Sequence, residues 1–265
     1  MKIPFYALWL AVGLTAAQVA LAAGPAPVSD PYFQTIEMKI LSADGTQKIG
    51  ATRITVSSTA SGEAIEGETR YLDGQRDEEK DQVKLKKGAL KLESYEHSFF
   101  SADGTMTMLD TLNAESRIAS CARREDGAMK VRKSQIDLPA DTFSGGSQLL
   151  TVIENLQKGR DQIEFHAFAC VPGPRVFKVN APVPRQTERW PLYPGNLIRL
   201  NLRPDLGTGL NLIMSPFLPK TEAWFDPRDN WKYVGGEFNR YFGGPHVFQV
   251  LVPPQHAPGQ VLLSR

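Results

Sequence analysis

Ala64-Ile65-Glu66-Gly67-Glu68-Thr69-Arg70-Tyr71-Leu72 is the stretch that decides the fold class. In an extended chain Ile65, Gly67, Thr69 and Tyr71 fall on one side, and Glu66, Glu68 and Arg70 on the other. Side chains alternate across a strand, so this pattern reads as a half-buried antiparallel strand. The same period returns where Val83 and Leu85 alternate with Lys84 and Lys86, and Leu90 and Leu92 with Lys91 and Glu93. It returns again where Ile198, Leu200 and Leu202 oppose Arg199, Asn201 and Arg203. Asp-Gly pairs at Asp44-Gly45, Asp73-Gly74, Asp103-Gly104 and Asp126-Gly127 punctuate these runs. Both residues tolerate positive φ, which tight hairpins demand. Ser42-Ala43-Asp44-Gly45-Thr46 recurs verbatim as Ser101-Ala102-Asp103-Gly104-Thr105. The flanks differ, so one turn is reused rather than a domain duplicated. The mixed-charge run Arg76-Asp77-Glu78-Glu79-Lys80-Asp81 reads as a solvated loop.

One segment breaks the pattern. Between residues 147 and 158, Leu149, Leu150, Val152, Ile153 and Leu156 recur at helical spacing and form one apolar stripe. Ser147 or Ser144 can cap the start, Gly145-Gly146 gives a sharp approach, and Gly159 can end the helix. Strands resume at 162–170, 175–181, 197–203, 210–214 and 247–252. A lone amphipathic helix cannot bury its stripe unaided. The expected architecture is therefore mostly β: a single curved antiparallel sheet, or incomplete β-barrel, packed around one amphipathic helix.

With its Asp-Gly hairpins, the Leu149–Leu156 helix after a glycine pair and the strands that follow, the layout resembles periplasmic all-β proteins of unknown function. It is similar in turn to the half-barrel of the lipoprotein-carrier family. The resemblance spans about residues 35–255 and rests on layout, with no diagnostic motif. It implies a barrel-like fold and assigns no binding residue. Those carriers begin with helices, and here strands take that place.

Lys2 is followed by an uncharged stretch from Ile3 to Val28, and Ala20-Leu21-Ala22 fits the small-x-small cleavage rule. Residues 1–22 read as a cleavable signal peptide, 23–34 as a flexible mature N-terminus, 35–253 as a single β-rich domain and 254–265 as a C-terminal tail. The expected location is periplasmic or secreted, with no stable membrane insertion after cleavage. Once Lys2 is removed, Lys plus Arg equals the 29 Asp plus Glu. That balance lacks the basic footprint of a nucleic-acid binder. Cys121 and Cys170 are the only cysteines, and in an oxidising compartment they are expected to pair. The competing ligand set of His166, Cys170 and Cys121 is one short of a structural zinc site.

No nucleophile elbow, metal spacing or nucleotide loop is present, so no catalytic residue, metal or cofactor is assigned. Trp190, Trp224 and Trp231 all fall late in the chain, among Tyr193, Phe217, Phe225, Tyr233, Phe238, Tyr241, Phe242 and Phe248. These rings either fill a β-core or wall a pocket with apolar sides and a few polar anchors. The ligand-site expectation is Trp224, Phe225, Trp231, Tyr233, Arg240 and Tyr241, with the Trp224–Trp231 loop gating a space between the inner sheet face and the helix. The function it suggests is an exported, non-enzymatic protein that binds an apolar or amphipathic molecule, such as an envelope lipid. Two alternatives stand beside it. One is a carbohydrate or cell-wall binder that stacks sugars on Trp224 and Trp231. The other is a hydrolase acting through Asp226 or Glu237.

Overall fold

The computed structural model describes residues 35–59, 62–86, 89–171, 173–205, 221–240 and 244–252. The leader, residues 23–34, the tail from 254, the strand expected at 210–214, and Phe217, Tyr241 and Phe242 lie outside them.

Eight strands come first: β1 (Thr35–Leu41), β2 (Lys48–Ser58), β3 (Gly62–Tyr71), β4 (Arg76–Lys86), β5 (Ala89–Phe100), β6 (Met106–Asn113), β7 (Ile118–Glu125) and β8 (Ala128–Gln135). A two-residue strand β9 (Thr142–Phe143) leads into helix α1 (Gly145–Gln157). Then follow β10 (Gln162–Cys170), β11 (Pro174–Pro182), β12 (Glu188–Trp190), β13 (Tyr193–Asp205), β14 (Thr221–Asp226), β15 (Lys232–Asn239) and β16 (His246–Leu251). All join one sheet in the order β8-β7-β6-β5-β4-β3-β2-β1-β16-β15-β14-β13-β11-β10-β9, with β12 paired to β13. Every neighbouring pair except β9–β10 is antiparallel. The sheet does not close into a barrel.

Local chemistry explains the turns. In both copies of the repeated pentapeptide the Asp carboxylate accepts its own Ser hydroxyl and the Thr backbone N–H, at 3.1 Å for Thr46 and 2.9 Å for Thr105. Gly45 and Gly104 follow at φ +72° and +82°. Register shifts at Ile40/Leu41, Gln82/Val83, Phe99/Phe100 and Trp224/Phe225 add local twist, which curls a sheet of this width.

Helix α1 packs against the concave face. Val152, Ile153 and Leu156 join a buried cluster that includes Ile36, Met38, Phe143, Ile163, Phe165 and Leu200. Leu150 instead meets a second cluster of Ile65, Val83, Leu92, Tyr95, Leu112 and Phe168. The helix ends in a tight cap, with Gly159 at φ +67° donating to Leu156 O and Arg160 donating to Asn155 O.

Cys121 on β7 and Cys170 on β10 form a disulfide with Cα atoms 5.8 Å apart. These strands lie one in from the two free ends of the sheet, so the bond ties the opening shut. Edge strand β8 is exposed along nearly all its length and carries Lys130, Arg132 and Lys133. Charge of this kind on an edge discourages pairing with another chain.

The mixed-charge run 76–81, expected as a solvated loop, is the first half of β4. Its charges occupy both faces of the strand, which erases the apolar alternation that marks a strand in sequence.

Candidate functional site

Directly opposed residues of an antiparallel pair share a face, so the register defines rows across the concave side. One row runs Ile65, Asp81, Tyr95, Leu112, Ala119, and the next runs Glu79, His97, Asp110, Cys121. Asp77, Phe99, Met108 and Arg123 form a third. The inner wall thus changes along its length from apolar to charged.

The charged rows meet the N-terminus of α1. Glu79 Oε1 accepts the Gly146 N–H at 2.5 Å, and Asp81 Oδ2 accepts the Ser147 N–H at 2.7 Å. Ser144 is the N-cap residue, yet its hydroxyl donates to Phe168 O, while Ser147 Oγ accepts the Ser144 N–H at 3.0 Å. Strand β4 therefore supplies carboxylates to N–H groups that a helix cannot satisfy itself, at the positive end of its dipole. The glycine pair makes this possible. Gly145 sits at φ +48°, and a Cβ there would lie 2.1 Å from Glu79 Oε1. A Cβ on Gly146 would come within 2.7 Å of Ile65 Cγ2.

The remaining inward charges are matched. His97 Nε2 lies 2.9 Å from Asp77 Oδ1, and Arg123 clasps Asp110 through both guanidinium NH2 groups. Burial alone would lower the His97 pKa, but the hydrogen bond and charge of Asp77, with the charges of Glu79 and Asp110, carry it up to about 9. Asp81 is fully buried, and its Oδ1 has no hydrogen-bond partner among the described residues. Burial first, then the neighbouring Glu79 charge, push its pKa well above the usual carboxylate range against the pull of the Ser147 N–H. Burial also raises Glu79, despite the His97 charge and the Gly146 N–H. Tyr95, buried beside them, is raised by burial and by both carboxylates.

The aromatic hairpin has a different character. Trp224 is 5% exposed, stacked on Trp190 with centroids 5.2 Å apart, and the Arg199 guanidinium also lies against its ring. A sugar platform needs an open ring face, and Trp224 offers none. Phe225 is fully buried against Tyr233, whose hydroxyl bonds Gln249 Oε1 at 3.1 Å. Trp231 is half-buried and sits at φ +61° after Asn230 at φ +50°, a backbone region that costs a bulky residue strain. The same turn touches the helix end, where Gln157 Nε2 donates to Asn230 O at 3.3 Å. Arg240 lies at the sheet's other margin, over the Tyr71 ring at 3.7 Å and bonded to Asp73 and Gln75.

Asp226 accepts three hydrogen bonds from Arg228, which hold its carboxyl below the usual range. Glu237 pairs with His246 at 3.3 Å. By strand register Asp226 and Glu237 stand four positions apart, roughly 13 Å at a strand's rise, wider than a paired-carboxylate hydrolase uses. A shallow depression on the outer face of β4–β8 is lined by Lys80, Glu96, Thr111, Ser120 and Lys133, with the exposed Ile118 and Val131 beside them.

Sequence reasoning named the late aromatics and missed Glu79, Asp81 and His97. The one available signal was the glycine pair ahead of the helix, which marks where side chains from elsewhere approach the backbone.

No family profile matches the chain, and no curated sequence does. Among solved structures, the chain is similar to a β-barrel-like protein with a domain of unknown function (DUF1849) from Brucella abortus. That likeness has 9% identity and a TM-score of 0.45 over 82% of this chain and 94% of the other.

Proposed function

We infer that this is an exported, non-catalytic protein that binds an apolar or amphipathic molecule in the concavity helix α1 occupies. The single observation carrying this is the graded inner wall. One stretch is apolar around Ile36, Met38, Phe165 and Leu200, and the other is lined by Asp77, Glu79, Asp81, His97 and Asp110. A molecule with a long apolar part and a polar head fits such a wall, since small-ligand sites combine apolar lining with few polar anchors.

The helix is the element that yields. It hangs from β9, two residues at the very end of the sheet, and its N-terminal polar bonds go to a strand far along the sheet. The Asn230–Trp231 turn touches the helix C-terminal end, a contact that supports a gating role for it. The disulfide suits an oxidising compartment, and no helix among the described residues is long and apolar enough to cross a membrane.

Native mass spectrometry of the protein from an exporting host, followed by delipidation and titration with a fluorescent phospholipid, tests the reading. A retained amphiphile, or saturable one-to-one binding after delipidation, is expected. Failure of both overturns the proposal.

A further inference from the structure

The geometry points to a ligand with a cationic, hydrogen-bond-donating head group, an amine-bearing amphiphile that takes Glu79 and Asp81 over from the helix N-terminus. This rests on the ligand-binding reading above and adds the chemistry of the head.

The charges of the inner wall are unequal in what answers them. His97 is held by Asp77, and Arg123 by Asp110, each a side-chain pair within the sheet. Glu79 and Asp81 bond to backbone N–H groups of α1, at Gly146 and Ser147. Any molecule that enters the concavity must shift the helix, and both carboxyls then lose their donors. Buried carboxyls tolerate that only if the newcomer supplies donors in return.

A second observation points the same way. Asp81 is fully buried even with the helix docked, and its Oδ1 has no partner among the described residues. The helix N-terminus thus answers only part of what this pair can accept. It also offers only about half a positive charge. A primary ammonium brings a full charge and three N–H donors. A carboxylate head would bring no donor.

The test titrates delipidated protein with decylamine, decanoate and decyl maltoside, one tail under three heads, each below its micelle threshold. Decylamine is expected to bind at least about tenfold more tightly than decanoate. Glu79→Gln and Asp81→Asn should each remove that preference while tail-dependent binding persists. Glu96→Gln, which deletes the same charge from the outer face one strand away, should keep it. If Asp81→Asn does not fold, Glu79→Gln decides alone, since Glu79 is only half-buried. Decanoate binding as well as decylamine, or a preference that survives Glu79→Gln, overturns the head-group inference and leaves the binding proposal standing. Binding of none of the three overturns both.

Discussion

The two stretches of the inner sheet are built from opposite materials. Strands β13–β16 carry Ile198, Leu200, Ala223 and Phe225, closed around ring contacts and sealed from solvent. Strands β4–β7 carry Asp77, Glu79, Asp81, His97 and Asp110 on the same side of the sheet, with Tyr95 and Leu112 between them. In the first stretch every large group has found its partner in packing. In the second, the partners of two carboxyls are borrowed from a helix. Richness in aromatic residues is therefore a poor guide to where this molecule can bind something, and incomplete satisfaction of buried polar groups is a better one.

Mutations can break this contrast. Trp224→Ala removes one member of a buried indole stack and should cost about 3–5 kcal/mol in chemical denaturation. A loss below about 1 kcal/mol would place Trp224 in a wall rather than in the core. The disulfide ties β7, at the end of the charged stretch, to β10 across 49 residues, and Cys121→Ser with Cys170→Ser should lower stability by roughly 2–4 kcal/mol. Thiol labelling of the unreduced, unfolded protein should find no free thiol.

The charged stretch should show itself in pH dependence. The folded protein holds the His97 proton up to about 9, against 6.5 for the free side chain. Its contribution is complete below pH 6.5 and is lost as pH rises through about 9. Asp81 has the same sign, because its raised pKa favours the protonated form in the fold. His97 should therefore make stability fall between about pH 6.5 and 9, by on the order of 3 kcal/mol. Asp81 adds a fall that begins at about pH 4, where the free side chain ionises, and continues up through its raised value in the fold. Asp81→Asn and His97→Gln should each flatten the profile, and a flat wild-type profile would contradict this account of the charged rows.

Gly145→Ala meets both a left-handed backbone and the Glu79 carboxylate, and should cost about 2 kcal/mol. Adding Glu79→Ala should recover part of that loss, whereas a purely backbone effect would not respond. Trp231→Ala should have the smallest effect, near 1 kcal/mol, since a half-buried ring is lost but Ala relieves crowding at φ +61°.

Much of the architecture is legible in the sequence. The alternation at 64–72, the Asp-Gly turns, the helix stripe and the cysteine pair all anticipate what forms, because each is a local pattern with one good structural solution. The site is less legible. Asp77, Glu79 and Asp81 alternate with Glu78, Lys80 and Gln82, so both faces of β4 look like water-loving surface in one dimension. Only the curl of the sheet turns one of those faces inward. Trp224 and Phe225, adjacent in sequence, point to opposite faces of the sheet, which no loop reading of that segment conveys.

The order of the strands has a consequence for how the chain could be cut. β1 and β16 are partners in the middle of the sheet, and Val252 N–H reaches Glu37 O at 2.9 Å. The free ends of the sheet, β8 and β9, lie in mid-chain and are separated by residues 136–141. In hydrogen-bonding terms, the seam of this molecule lies between two strands that are neighbours in sequence. A circular permutant opened at 136–141, with 35 and 252 bridged by a short linker, would keep every strand pair. It would also turn the β1–β16 pairing, which now spans almost the whole described chain, into a nearly local one. Long-range pairings slow folding, so such a permutant should fold faster than the parent.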